Sequence, residues 1–329
     1  VRDKLTTILK IVVSLGLIAF VLWRVKLDKV AAQLASANLW FVLAALALYV
    51  LAIVVNGVKW QILLRAQGVR VPIGAVLQFL FTGFFFNNFL PANVGGDVMR
   101  GYGLARYTDR TADAAVSVIV DRIVGLIAYM STAAVAAIVA VNLTGHSALQ
   151  QVEWVAIVAL VLLAGLFAVL LSRRLRALIG RLFTWRFLIR LGPFWARVSA
   201  AFDAYRFRYG TLALAFGVAL IGIICTTFVN WCLSQAMGGL MPLAAIFLFN
   251  PLIALVLMIP ISIGGIGVSQ TAYPFFFGLA GVPTDHSVAV SLLIYAIAVV
   301  ASLPGGVFWL RNKGRTYAVE SKPATNDTN

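Results

Sequence analysis

Apolar runs long enough to cross a bilayer recur along the chain, and this feature limits the fold more than any other. Ile8–Trp23, Leu39–Leu64, Thr111–Val141, Trp154–Leu171, Thr211–Ala236 and Val288–Leu310 are dominated by aliphatic and aromatic residues. A membrane span needs about 20 such residues. Backbone N–H and C=O groups in hydrocarbon find no water, so runs of this kind are expected to be helices. Composition agrees with this: 62% of the 329 residues are apolar and 11% are charged, yet 26 Lys and Arg against 11 Asp and Glu give a net charge of +15. A nucleic-acid binder accounts for the basicity but not for the apolar fraction. A soluble enzyme carries about a quarter charged residues. A polytopic membrane protein accounts for both, because Lys and Arg gather in loops on the cytoplasmic face.

Two further apolar segments are interrupted. Pro72–Pro91 runs into Pro91-Ala-Asn-Val-Gly95-Gly96-Asp97, and Pro242–Pro260 runs into Pro260-Ile-Ser262-Ile-Gly264-Gly265-Ile-Gly267. Proline and paired glycines inside apolar sequence predict broken helices. The breaks sit in matched frames, Lys59-Trp60, Gly68, Pro72, Pro91, Gly95-Gly96 against Asn230-Trp231, Gly239, Pro242, Pro260, Gly264-Gly265. Trp-to-Pro spacing is 12 and 11, Pro-to-Pro 19 and 18, and Pro-to-Gly 4 in both. An ordered set of markers at matched spacing predicts an internal duplication.

The fold expected is an all-α polytopic membrane protein made of two repeats. Residues 1–142 hold three spans with a re-entrant hairpin at 72–96; residues 150–312 hold three more with a hairpin at 242–267; residues 313–329 form a disordered tail. Three crossings per repeat is an odd number, so the second repeat is expected upside down relative to the first. Charge supports this: Val1–Lys10, Arg65–Arg110, Arg173–Arg208 and Arg311–Lys322 share one side, whereas Val141–Glu153 and Gly238–Met241 hold no Lys or Arg. The positive-inside rule puts both termini in the cytoplasm, in a multi-pass protein of the inner (plasma) membrane. Residues 173–208 hold nine arginines and one acid, Asp203, interleaved with aromatic residues. That pattern suits helices lying on anionic headgroups of the cytoplasmic face. Membrane phospholipids are therefore the expected partners, and nucleic acid is not one. Cys225 and Cys232 read as core thiols, and no Cys/His spacing suits a metal, so neither metal nor cofactor is expected.

Inverted repeats with discontinuous helices place substrate near the midplane, where the breaks meet. Glycine turns there, Gly95-Gly96 with Pro91 and Gly264, Gly265 and Gly267 with Pro260, let backbone N–H groups face an anion. Asp97 and Arg100 follow the first turn at i, i+3 spacing; they can hold an amine and a phosphate, or serve as helix cap and interface anchor. Asp121 and Arg122 lie about 15 Å into their span. Charges at such depth are costly and face a bundle interior or cavity, either for substrate or as structural ion pairs. Asn87 and Asn88 precede the first break and can line the cavity or satisfy freed carbonyls. Ser262, Ser269 and Gln270 supply polarity without charge in the second half. Lys59 is expected to snorkel to the interface, His146 to lie in a loop and His286 at a helix start, and the runs Phe84–Phe86 and Phe275–Phe277 to face lipid.

Taken together, Asn87-Asn88-Phe-Leu-Pro91, Gly96-Asp97, Arg100, Asp121-Arg122, Gly125 and Pro260-Ile-Ser262-Ile-Gly264-Gly265-Ile-Gly267 resemble the signature of the lysylphosphatidylglycerol synthase transmembrane region. The family often has Arg-Glu after its second Gly-Gly, where this chain has Ser269-Gln270. In full-length members the region is joined to a soluble aminoacyltransferase and moves the aminoacylated lipid to the outer leaflet. The resemblance implies the translocating part and not the synthase. The expected function is thus a flippase- or scramblase-like translocator of an anionic or aminoacylated phospholipid, with no enzymatic step. Two alternatives stand: an inverted-repeat transporter of a small solute or ion, and an integral-membrane lipid or polyprenyl-phosphate transferase with Asp97 or Asp121 as base.

Overall fold

A computed structural model describes residues 32–88, 94–144, 147–182, 192–258 and 265–312. The first expected span, the two break points with Pro91, Pro260, Ser262 and Gly264, His146 and the tail lie outside the described residues. Among the described residues the chain is helical throughout, without strands. Its helices are α1 (Leu39–Ala66), α2 (Ile73–Asn87), α3 (Val94–Thr108), α4 (Thr111–Thr144), α5 (Ser147–Leu171), α6 (Arg173–Leu182), α7 (Gly192–Phe202), α8 (Tyr209–Ala236), α9 (Leu243–Met258), α10 (Val268–Gly278) and α11 (Thr284–Asn312). Four of them, α1, α4, α8 and α11, are long and apolar enough to cross a membrane. The expected span Trp154–Leu171 falls on α5. Large apolar side chains such as Trp40 and Leu162 lie 81% and 68% exposed on the outer surface, a distribution suited to lipid and not to water.

Local signals set the helix ends. Asn38 caps α1, its side chain accepting from the Trp40 N–H, which satisfies one of the orphan donors of the first turn. At the other end Gly68, with φ +74°, donates to the Arg65 carbonyl while Val69 donates to that of Leu64. This is the Schellman arrangement, in which glycine reverses the chain at no steric cost. α8 closes in the same way: Gly238 (φ +99°) donates to Gln235 and Gly239 to Ser234. The reversing glycine that corresponds to Gly68 is therefore Gly238, one residue earlier than the spacing suggests. The shorter Trp-to-Pro interval of the second half is taken up in the last turn of α8.

A proline opens each interrupted segment, Pro72 before α2 and Pro242 before α9, its carbonyl accepting the first helical hydrogen bond. With 15 and 16 residues, α2 and α9 extend about 23 Å. That is shorter than the ~30 Å hydrocarbon core. α10 is shorter still, at 11 residues.

Helices from the first and second halves of the chain pack on one another. α2 lies on α11 and α9 on α4; α4 packs on α8 and α11 on α1; α1 and α8 form the most extensive pair. Their ends fix the direction of that pair. The Asn38 N–H at the start of α1 donates to the Ala236 carbonyl at the end of α8 (2.9 Å). The Tyr205 hydroxyl, just before α8, donates to the Leu63 carbonyl near the end of α1 (3.1 Å). α1 and α8 thus run antiparallel. Glycine permits the closest crossings: a Cβ on Gly305 of α11 would collide with the Phe81 backbone of α2, the small-residue mode of helix packing in membranes.

Candidate functional site

Five charged side chains from three helices of the first half meet in one chain of alternating sign. Lys59 Nζ on α1 lies 3.1 Å from Asp121 Oδ1 on α4. Asp121 Oδ2 accepts from Arg100 Nη1 on α3 at 2.8 Å. Arg100 Nη2 reaches Asp97 Oδ1 one turn earlier, also at 2.8 Å. Asp97 Oδ2 lies 3.2 Å from Arg122 Nη1, back on α4. Asp121 and Arg122 are neighbours in sequence, yet they pair with different partners and not with each other. Lys59 corrects an expectation. Its stem does not snorkel; the residue is 5% exposed and its ammonium is held inside the bundle by a carboxylate. A lone lysine six residues before Arg65 is equally compatible with either place, so only the partner decides.

The scaffold around this chain is close and mostly apolar. The Arg100 guanidinium sits 5.0 Å from the centroid of the Trp60 ring, an attractive placement for a cation out of water. Trp60 in turn donates Nε1–H to Ser117 Oγ at 3.2 Å, joining α1 to α4. Asn87 Oδ1 accepts from the Gly96 N–H at 2.7 Å, which ties the end of α2 to the start of α3. A Cβ on Gly83 would stand 2.7 Å from the Gly96 carbonyl, so glycine at this crossing lets α3 approach closely enough for Arg100 to reach Asp121.

A cavity of about 150 Å³ opens on the charged chain, lined among others by Asn87, Gly96, Asp97, Arg100, Asp121 and Arg122. It adjoins a second cavity of about 340 Å³, and Phe84, Asn87, Arg122 and Tyr129 line both. The second cavity lies between the halves, with Gly265, Ser269 and Tyr295 on its far wall. Lys59, Arg100 and Asp121 are buried, whereas Asp97 and Arg122 retain 19% and 30% side-chain exposure. Arg122 is therefore the charged group at the junction.

The other expected residues are distributed as follows. Asn88 lines the second cavity and donates to Ser302 Oγ on α11 at 2.8 Å. Ser269 lines it too, but Gln270 is buried and spends its Oε1 on the N–H of Gly267 (φ +83°), capping its own helix. Gly95 borders neither cavity. Phe84 lines both cavities, against the expectation of a lipid-facing run, while Phe275 is exposed and Phe277 buried. His286 does stand at the start of α11, but buried, with Nε2 3.0 Å from Ser234 Oγ. Cys225 and Cys232 are free, buried thiols. Tyr129 and the Gly83 crossing were not signalled by any motif, and Lys59 entered only as a marker of the matched frame.

At the position matching Lys59 the second half has Asn230. It donates to Asn250 Oδ1 (2.9 Å) and accepts from the Tyr273 hydroxyl (2.7 Å). An uncharged hydrogen-bonded network thus replaces the ion-pair chain. The arginine-rich segment also differs from a uniform basic surface. Arg173 and Arg176 both bind Asp203, and Arg176 is buried. Arg173's hydrogen bond holds the Asp203 carboxyl below the usual carboxylate range, partly opposed by burial, with Arg176 lowering it further. Among the described residues no cluster of His, Cys, Asp and Glu could hold a metal ion.

Residues 7–305 match the lysylphosphatidylglycerol synthase TM region family. The chain belongs to this family. It is also similar to a UPF0104 membrane protein of Pyrococcus horikoshii, 22% identical over 327 residues that cover 93% of this chain and 97% of that one. Family membership and the four long apolar helices make the protein a multi-pass integral membrane protein.

Proposed function

We propose that the chain translocates an anionic or aminoacylated phospholipid between leaflets, without a chemical step of its own. The observation that carries this reading is a ladder of charges at the junction of two adjoining cavities, one of them walled by both halves. A charge near the bilayer centre costs about 2.5–3.5 kcal/mol even on the mildest scale. Five gathered in one place suit a polar path better than a purely structural core, which neutral hydrogen bonds suffice to hold in the second half. The family's printed name concerns lysylphosphatidylglycerol, a phosphate-bearing lipid, which agrees with this substrate class.

The arrangement we infer is an inverted repeat. Counterparts α1 and α8 run antiparallel, and helices too short to span begin after a proline in each half. α2–α3 would then enter as a re-entrant hairpin from the cytoplasm and α9–α10 from the opposite face, with both termini in the cytoplasm of an inner-membrane protein. Anionic headgroups would meet the arginines of α6 and α7 on the cytoplasmic side.

The test is reconstitution into vesicles carrying a fluorescent phosphatidylglycerol, with quenching of the outer leaflet followed in time. The protein is expected to expose inner-leaflet lipid faster than empty vesicles, and Arg122→Ala to return the rate to that background. A wild-type rate equal to empty vesicles across anionic and aminoacylated headgroups overturns the proposal.

A further inference from the structure

The charge count at the cavity is uneven. Lys59, Arg100 and Arg122 face Asp97 and Asp121, so three cations and two carboxylates leave one positive charge. Its location follows from the pairing. Asp121 is shared by Lys59 and Arg100, all three buried. Asp97 is shared by Arg100 and Arg122, at 2.8 and 3.2 Å. Arg122 stands at the end of the ladder, and among the described residues its guanidinium has a single ion-pair contact, through one of five N–H donors. It is also the charged residue lining the cavity between the halves, where no carboxylate accompanies it.

We propose that Arg122 is the binding group for a phosphodiester bearing one negative charge, and that Asp97 is its internal competitor. The identification of that phosphodiester as a lipid headgroup rests on the function proposed above. With the site empty, Asp97 shields Arg122. An entering phosphate oxygen takes the Arg122 fork, and Asp97 stays with Arg100, which holds it at the shorter distance. The uncharged donors at the same cavity, Asn87, Asn88 and Ser269, suit the remaining phosphate and hydroxyl oxygens. A fork of parallel N–H groups favours a phosphate over a point-charge contact. The cation is thus kept paired without being committed, so that a ligand binds by exchange of one anion for another.

This assignment makes the two members of one ion pair opposite in effect. Removing a competitor strengthens binding, whereas removing a ligand-holding group abolishes it. Short-chain phosphatidylglycerol is titrated calorimetrically into the purified full chain in uncharged micelles, with short-chain diacylglycerol and inorganic phosphate as separate arms. Asp97→Asn is expected to tighten phosphatidylglycerol binding roughly tenfold, the worth of one charge-assisted hydrogen bond. Arg122→Gln is expected to lose the binding, and diacylglycerol to give no saturable signal. Where Asp97→Asn does not yield folded protein, Arg122→Lys decides: it keeps the charge but not the fork, and is expected to weaken binding several-fold.

A folded Asp97→Asn protein that loses binding as Arg122→Gln does would place Asp97 on a cationic headgroup and overturn the proposal. So would an Arg122→Lys protein that binds as wild type does. Inorganic phosphate binding as tightly as the lipid would overturn the lipid assignment. Because binding is read at equilibrium, a protein that binds as expected yet moves no lipid between leaflets refutes the translocation reading and leaves the site intact.

Discussion

Asp121 holds two cations, and losing it strands Lys59 and leaves Arg100 with one carboxylate. Lys59 has no other carboxylate within ion-pair distance among the described residues, and Arg100 keeps only Asp97. Removing one partner of a buried pair costs about 3–5 kcal/mol, because the remaining charge stays buried. Asp121→Ala is therefore expected to lower the thermal unfolding midpoint in detergent strongly. Lys59→Met is expected to lower it by less than half as much, since Asp121 retains Arg100. Tryptophan fluorescence on heating measures both, and equal losses would mean that the ladder does not share its charge as the distances indicate. Sequence reading found four of the five ladder residues, Asp97, Arg100, Asp121 and Arg122, because charge deep in an apolar run is visible without coordinates. It placed Lys59 at the interface because a lysine near a helix end has two physically reasonable homes. The pairings themselves were not legible: Asp121 and Arg122 are adjacent in sequence, but successive residues on a helix point about 100° apart and find partners on different neighbours.

At the level of elements, the long apolar runs made the spans readable and Pro72 and Pro242 the starts of the short helices, yet proline and glycine carry other meanings where a helix continues. Pro304-Gly305-Gly306 repeats the composition of the two segments expected to break, but α11 runs through it without interruption, and Gly95-Gly96 likewise lies within α3 and not in a turn. The glycines there serve contact and not a turn. Gly305 lies against the Phe81 backbone and Gly306 against the Phe85 ring, and Thr82 Oγ1 donates to the Gly305 carbonyl at 3.4 Å. Local sequence cannot separate a break from a crossing, since the difference lies in what packs against the segment. A methyl group on Gly305 meets a backbone carbonyl that cannot turn aside, and overpacking of this kind costs about 1–3 kcal/mol. Gly305→Ala is expected to reduce both the unfolding midpoint and lipid movement, because α2 leads directly to Asn87 and the cavity. Gly278→Ala in α10 has no atom within 4 Å of the new methyl and is expected to leave the midpoint unchanged. If the two alanine variants melt together, close α2–α11 contact does not position the site.

Across the whole molecule, the exchange of α2 on α11 for α9 on α4 joins each short helix to a long helix of the other half. Each short helix packs on helices of its own half and of the other, so the cavity at their junction is a product of both. The molecule is nevertheless chemically lopsided, with ion pairs around Asp121 and neutral hydrogen bonds around Asn230. Pro72 with Pro242 and Gly68 with Gly238 are legible in the sequence because helix starts and chain reversals demand those residues, whereas the division of charge rests on side-chain partners that spacing does not name. The antiparallel pair α1–α8 then makes a prediction that concerns the whole fold. If the axis relating the halves lies in the membrane plane, equivalent connections emerge on opposite faces. Asp109–Arg110 joins α3 to α4 and Leu279–Pro283 joins α10 to α11, and these are such equivalents. With Cys225 and Cys232 replaced by alanine, a cysteine at Asp109 is expected to be shielded from a membrane-impermeant maleimide added outside intact cells. A cysteine at Gly281 is expected to react. Labelling of both positions from the same face would mean that no axis in the membrane plane relates the halves, and the charge difference between Arg65–Arg110 and Gly238–Met241 would then need another origin than the positive-inside rule.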